Sequence, residues 1–209
     1  YHNHTILAMD NLSRRYSVSG RGISAGADPL YTNRGFCVRV CDGTGIREYS
    51  FNRIGVDLIP EIMDAIRAIP AASADDLPEG VGILSRPDAE ERKEEFSKAS
   101  GYIVHPEELG DNAIIDRLSA VRTALKAADE RVLDGAANFS WQEIHKLFIS
   151  PRKRLSQNMM WCAGSVTVLA KKGQVIKDVY SPFSIRGGAE LLDRMACGPE
   201  ELVRKVIGL

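Results

Sequence analysis

The stretch that decides the fold runs from Gln157 to Gly188, QNMMWCAGSVTVLAKKGQVIKDVYSPFSIRGG. Two segments, 159–170 and 174–185, are rich in β-branched and aromatic residues, and they are joined at Lys171, Lys172 and Gly173. A short connection with one glycine between two such segments is typical of a β-hairpin. One face of the first segment carries Val166, Val168 and Ala170, and the other carries Ser165, Thr167 and Leu169. We therefore predict a long hairpin here.

The second arm of this hairpin ends in Arg186, Gly187 and Gly188. Glycine lets a backbone turn freely or approach another chain closely. The segment is therefore either a flexible turn or a rim where a peptide or a partner strand docks by backbone pairing. On the second interpretation, these three residues are the candidate peptide- or partner-binding site.

Length and composition are those of an ordinary globular protein. The chain has 209 residues, of which 44% are apolar and 26% charged, enough for one large domain or two small ones. Its formal net charge of −1 argues against nucleic acid or an anionic membrane as a partner. No apolar run has the length of a membrane span, and the first residues show no signal-peptide pattern. We therefore expect reduced cysteines and a cytoplasmic location.

The first half of the chain is predicted to be a four-strand antiparallel meander followed by a helix. The predicted strands are 4–10, 14–19, 35–41 and 46–51, with a glycine-rich loop at 20–33 and a tight turn at 42–45. Asp57 is a plausible N-cap with Pro60 in the first helical turn, and Pro70 ends the helix near Ala68.

A charged insert, 78–108, separates this half from the next. Its segment 88–98 is strongly charged, which favours a short solvated helix with Asp88–Arg92 and Glu94–Lys98 pairs. Asp111 then opens the clearest helix, which continues to Ala128. Its apolar stripe is Ile114, Ile115, Leu118, Val121 and Leu125.

The second half then repeats the pattern of the first. Strands are predicted at 131–140 and 141–149, followed by a basic turn at 150–154, the long hairpin and a last helix after Gly198 and Pro199. Strands grouped by local hairpins with helices between the groups indicate an α+β fold in a single domain, 1–209. The two halves resemble a loose duplication of a ββββα unit, without a residue-level repeat.

The residues that could carry chemistry have simpler interpretations. His2 and His4 share a strand face but lack a third ligand at matched spacing, so a surface pair is favoured over a metal site. Cys37 and Cys41 lie about 13 Å apart on one strand, too far for a shared metal or a disulfide. We expect both to be core cysteines.

Three further features leave alternatives open. We expect Cys162 to be a packing residue, with a reactive thiol as the alternative, and His145 to be half-buried on its strand. The basic residues 152–154 are either a solvated loop or a contact for phosphate groups. Neither an H-E-x-x-H helix nor a G-x-S-x-G elbow is present, so the sequence contains no complete catalytic constellation.

Several motifs, taken in order, resemble the N-terminal domain of the TldD/PmbA family, once called modulators of DNA gyrase. Residues 34–40 with Asp42 and Gly43 resemble the family's rG-gvRv-dG strand and turn. The helix start at Asp57 and Leu58 follows, and then 129–132 resembles its D-prV segment. Further along, 147–150 is similar to the strand before its nS-G turn, and 186–188 resembles its RGG segment. The turn at 150–153 lacks the glycine expected there.

The resemblance implies a cytoplasmic metallopeptidase that acts on small or unfolded peptides as a homo- or heterodimer of related subunits. This chain would be its non-catalytic half, which shapes a peptide cleft and part of the dimer contact. The family's zinc-binding H-E-x-x-x-H helix belongs to a C-terminal domain that is absent here. We therefore assign no catalytic residue, metal ligand or cofactor to this chain, and expect zinc and its chemistry in that missing domain.

The limits of the chain agree with this interpretation. It starts at Tyr1 without Met and stops at Leu209 inside a predicted helix, so we expect a piece of a longer protein, with its own C-terminal domain as one partner. The alternative is a protein- or DNA-binding module without enzymatic activity, whose contact surface would include 152–154 and Arg186. A purely structural domain is the third possibility.

Overall fold

The computed structural model describes residues 3–41, 46–70, 92–196 and 198–208. Over these ranges the chain forms one mostly antiparallel sheet with helices packed against it, which confirms the α+β class. The strands are β1 (Asn3–Ser19), β2 (Gly22–Ala27), β3 (Asn33–Cys41), β4 (Ile46–Phe51), β5 (Glu94–Ala99), β6 (Val132–Ile149), β7 (Lys153–Lys172) and β8 (Val175–Arg186). The α-helices are α1 (Ile59–Ala68), α2 (Pro106–Leu109), α3 (Asp111–Ala127), α4 (Asp193–Ala196) and α5 (Pro199–Gly208).

The chain divides into two compact units, and β1, β6 and β7 each contribute residues to both. Unit 1 consists of Tyr1–Asp10, Asn33–Ala99 and Ile144–Asn158. Unit 2 consists of Asn11–Thr32, Ser100–Glu143 and Met159–Leu209. Each unit therefore draws on both halves of the sequence.

The long hairpin is confirmed in unit 2. Strands β7 and β8 pair from Trp161 opposite Arg186 to Lys172 opposite Val175. The turn is Gly173 and Gln174, since both lysines before it stay in the ladder, and Gly173 has a φ of 62°. On β7 the side chains predicted to face inward are buried, namely Val166, Val168 and Ala170.

Helix α3 supplies one layer of the core of unit 2, as its apolar stripe predicts. Ile114, Leu118, Val121 and Leu125 are buried on it, whereas Ile115 is half-buried. They belong to one cluster with alternate residues of β6, including Ala137, Phe139 and Trp141. The last helix, α5, adds Val203 and Val206 to the same core, as expected.

The two predicted breaks within β1 and β6 are wrong, because each is a single long strand. Asn11 and Ser13 interrupt the apolar alternation of β1, yet both are buried inside the strand. In β6, alternate burial passes through Ser140 and Trp141 without a break, since no turn residue separates them. The two short helical segments at Ala189–Leu192 and α4 were not predicted.

The predicted loop at 20–33 contains a strand instead. Strand β2 pairs with β1 from Ser19 opposite Gly22 to Arg14 opposite Ala27. The residues after β2 are held at Ser13, whose Oγ donates to the Asp28 carbonyl oxygen (3.1 Å) and whose N–H donates to Thr32 Oγ1 (3.2 Å). After the β1–β2 ladder ends at Ala27, hydrogen bonds between side chains and backbone thus connect the chain to β1.

Unit 1 contains the β3–β4 pair, α1 and the end strand β5. The pairing of β3 with β4 is confirmed, with Phe36 opposite Phe51, whereas the predicted turn at 42–45 lies outside the described residues. Helix α1 ends at Ala68, as Pro70 predicts, and buries Ile66. Asp57 is not its N-cap: it lies within a 3-10 turn, Val56–Leu58, and α1 begins after Leu58 without a side-chain cap.

The predicted helix at 88–98 is wrong where it is described. Strand β5 pairs in parallel with β7, from Glu94 opposite Lys153 to Ala99 opposite Asn158. Glu94 and Lys98 therefore stand about 13 Å apart along a strand, not one helical turn apart. The Asp88–Arg92 pair and most of the insert lie outside the described residues.

Candidate functional site

The predicted binding residue Arg186 lies exposed at the end of β8 in unit 2. Its guanidinium carbon lies 5.5 Å from the centroid of the Trp161 ring on the paired strand. This distance allows a cation–π contact. The arginine is thus held over an aromatic side chain of which 37% remains exposed.

The two glycines after Arg186 are buried, and their backbones bond within unit 2. The Gly187 N–H donates to the Met160 carbonyl oxygen (3.3 Å), and Gly187 has a φ of 152° that favours glycine. A Cβ on Gly188 would lie 2.1 Å from the Val104 carbonyl oxygen. Close packing inside the unit therefore explains why glycine occupies both positions.

The Glu190 carboxylate holds the turn at 186–188, called the elbow below, in place. Its Oε1 accepts from the Gly188 N–H (2.8 Å), and its Oε2 accepts from the Val104 N–H (3.1 Å). Burial opposes ionisation of Glu190, but hydrogen bonds from the backbone together outweigh it and lower the pKa below its ordinary value. The carboxylate joins the chain after β8 to the segment before α2.

Unit 1 contains a cleft of about 710 Å³ along its strands. Side chains from β1, β3, β6 and β7 line it, and residues 52–54 with Asp57 form a rim. The polar residues from the strands are Asp10, Arg34, His145, Lys146, Arg154, Ser156, Gln157 and Asn158. Apolar contributions come from Phe36 and Leu147, so the floor of the cleft is mixed in character.

An ion pair lies within this cleft. Arg34 Nη2 donates to Asp10 Oδ2 at 2.5 Å, and the side chains are 61% and 38% exposed. This hydrogen bond raises the pKa of the Arg34 guanidinium above its ordinary value. Exposed pairs contribute little to stability, so the pair mainly positions charge in the cleft.

The basic turn and the cleft are connected through one residue. Of the three basic residues at 152–154, Arg154 lines the cleft, together with Ser156 and Asn158 at alternate positions of β7. The cleft itself was missed from the sequence. The one available signal was this run of alternating polar residues, which marks a solvated strand face.

The other residues considered from sequence are placed apart from any constellation. His4 is exposed, and Cys37 and Cys41 are half-buried rather than fully in the core. Cys162 is buried, and burial raises the pKa of its thiol to about 12. Its burial in the core cluster of unit 2 confirms the predicted packing role.

Unit 2 also contains a histidine–carboxylate pair that the sequence did not indicate. His105 Nδ1 accepts from the Glu107 N–H at the start of α2 (3.2 Å), and its Nε2 lies 3.5 Å from Glu143 Oε2. The ring contacts Tyr102 and Trp141 edge-on. The histidine thus caps a helix and closes the end of the buried face of β6.

Within the described ranges, no three His, Cys, Asp or Glu side chains are grouped so that they could hold a metal ion. No helix in the described part of the chain is long and apolar enough to cross a membrane.

Comparison with solved structures identifies the fold. TldE from Thermococcus kodakarensis aligns with 99% of this chain at a TM-score of 0.64 and 14% identity. Two proteins named "putative modulator of DNA gyrase" align as well, from Thermotoga maritima (TM-score 0.63, 11% identity, 99% of this chain) and Bacteroides thetaiotaomicron (0.59, 13%, 98%). This chain has their fold.

The agreement confirms the fold resemblance predicted from the order of sequence motifs. The chain spans less than half of each solved chain, namely 44% of TldE and 43% and 46% of the other two. No protein-family model and no curated protein matches the sequence.

Proposed function

We propose that this chain is the non-catalytic N-terminal half of a cytoplasmic TldD/PmbA-type metallopeptidase. One observation carries the proposal: the structural alignment with TldE includes 99% of this chain but only 44% of the TldE chain. The order of the sequence motifs supports the same assignment. On this proposal, the rest of the protein follows Leu209 and supplies the zinc site.

The role proposed for unit 1 is to bind the peptide substrate in its cleft. A volume of about 710 Å³ is within the usual range for ligand pockets of about 300–1,000 Å³. Polar side chains on the floor offer partners for peptide N–H and C=O groups, and Phe36 and Leu147 offer apolar contact. The cleft suits a short extended peptide.

The role proposed for unit 2 is contact with a related subunit, beside Arg186. In the described part of the sheet, β8 pairs only with β7, so its other edge can accept a strand. The side chains of Val175, Ile176 and Tyr180 on β8 are more than half exposed. Because the Gly187 and Gly188 N–H groups are already bonded within the unit, docking at this elbow would use Arg186 and the β8 edge.

Catalysis itself is assigned to sequence outside this chain. Zinc bound by the C-terminal domain would activate a water molecule for attack on the peptide bond. The residues of this chain would position the peptide and take no part in proton transfer. A parent subunit that lacks zinc would act as the inactive partner in a heterodimer.

The test compares the 209-residue chain with the natural full-length protein and its partner subunit. Fluorescence-quenched peptides should be cleaved by the full-length assembly, and cleavage should stop after chelation. The 209-residue chain should bind the same peptides without cleaving them. Cleavage by the 209-residue chain alone, or the absence of any peptide binding, would refute the proposal.

The second candidate is a module that binds DNA gyrase or its DNA. The names of the Thermotoga maritima and Bacteroides thetaiotaomicron proteins favour it. If the module binds DNA, it should retard duplex DNA in a gel-shift assay at low ionic strength, where contacts with phosphate groups are strongest. Failure to retard duplex under those conditions eliminates the DNA form.

A further inference from the structure

We infer that the cleft of unit 1 selects peptides that carry a carboxylate, and that Arg154 is the residue that recognises it. This inference rests on the proposed function of the cleft as a peptide site, and it adds the chemical class of the peptide.

Positive charge exceeds negative charge around the cleft. Four cationic side chains line it, Arg34, Arg53, Lys146 and Arg154, against the carboxylates Asp10 and Asp57. Arg34 is already bonded to Asp10. A ligand carboxylate is therefore attracted to the lining as a whole, and a cationic peptide is disfavoured.

Arg154 is the cation best placed to receive the carboxylate. It is exposed and lies on the sheet face of β7 beside Ser156 and Asn158. Glu95 of β5 is in register with it, but no salt bridge joins Arg154 to any residue in the described ranges. Its planar guanidinium can bond both oxygens of a carboxylate at once.

The positions of the two arginines set a minimum length for a peptide segment that contacts both. The strand order β3-β1-β6-β7 separates Arg34 on β3 from Arg154 on β7 by three strand spacings, which is at least about 14 Å. An extended peptide needs at least about four residues to cover this distance. The carboxylate would bind at the β7 end, since Asp10 offsets the charge of Arg34 at the other.

Calorimetric titration of the 209-residue chain tests the inference. The probes are three C-terminally amidated, N-acetylated pentapeptides, Ala-Glu-Ala-Glu-Ala and its Gln and Lys counterparts. A fourth, the Gln peptide with a free C-terminus, distinguishes a side-chain carboxylate from a terminal one. We expect the Glu peptide to bind roughly tenfold more tightly than the Gln peptide, a factor that corresponds to about 1.4 kcal/mol, and the Lys peptide to bind most weakly.

The variant Arg154→Gln should abolish the difference between the Glu and Gln peptides. The matched control Arg204→Gln, at an exposed position on α5 in unit 2, should retain it. Equal binding of all peptides, or unchanged selectivity in Arg154→Gln, would overturn the inference but not the proposal that the cleft binds peptides. If none of the four peptides binds, the proposed function fails as well.

Discussion

Gly188 lies directly against the backbone of Val104, so that a Cβ on Gly188 would lie 2.1 Å from the Val104 carbonyl oxygen. The same oxygen accepts the Ala189 N–H at 2.8 Å. A backbone atom held in this way cannot move aside as the end of a flexible side chain can. The contact makes the elbow after β8 a rigid part of unit 2.

The variant Gly188→Ala should therefore destabilise the protein by about 1–3 kcal/mol, the usual cost of forcing atoms into a packed site. Urea unfolding followed by circular dichroism measures the change. Gly26→Ala is the matched control, because nothing lies within 4 Å of a Cβ there. Equal stability of the two variants would show that the elbow can relax.

Tyr16 links β1 to the start of α3. Its buried hydroxyl donates to Asp111 Oδ1 at 2.8 Å, and Arg14 Nη2 donates to Asp111 Oδ2 at 2.5 Å. Tyr16→Phe should cost about 1–2 kcal/mol of unfolding free energy, because the bond is made to a charged acceptor. Tyr180→Phe, at a side chain that is 61% exposed, should change it by less than about 0.5 kcal/mol. A similar loss in both variants would contradict the link.

Glu190 should make the stability of the protein depend on pH. Its pKa in the folded state is lower than the ordinary value of 4.5, so its contribution is complete above that value. The contribution is lost as the pH falls through the folded-state pKa. The difference in unfolding free energy between the wild type and Glu190→Gln should therefore be larger at pH 6 than at pH 3.5. A constant difference would argue that these hydrogen bonds do not favour the carboxylate.

Cys162 should resist alkylation in the native protein. Burial raises the pKa of its thiol to about 12, which leaves almost no thiolate at pH 8, and the side chain is 1% exposed. Iodoacetamide labelling mapped by mass spectrometry should find Cys162 unmodified in buffer and modified in urea, with the half-buried Cys37 as the internal comparison. Rapid native labelling of Cys162 would restore the alternative of a reactive thiol.

Local patterns in the sequence predicted the elements whose determinants are local. The hairpin of β7 and β8 shows alternation and a turn glycine, and α3 shows a continuous apolar stripe. Strand β5 was predicted as a helix because its charges have helical spacing, whereas its pairing is with β7, far along the chain. Asn11 and Ser13 resembled a break, because a buried polar residue in a strand depends on partners elsewhere, such as Asp28 for Ser13.

The same contrast between local and long-range determinants applies to the candidate sites. Arg186 and its glycines form a contiguous motif, so they could be selected from sequence, but their packing against Val104 could not. The cleft of unit 1 combines side chains from four strands, and Arg34 and Arg154 are 120 positions apart in the sequence. Such a site can be recognised only when the order of the strands in the sheet is known. Arg154 was singled out in the sequence, but as part of a basic turn.

The proposed division into a zinc-free N-terminal half and a zinc-binding C-terminal half is tested most directly by elemental analysis of zinc, in the natural full-length protein isolated with its partner subunit and in the 209-residue chain. We predict that the natural protein continues beyond Leu209, that the assembly contains zinc, and that the 209-residue chain retains none. A natural protein that ends near Leu209, or stoichiometric zinc in the 209-residue chain, would contradict it.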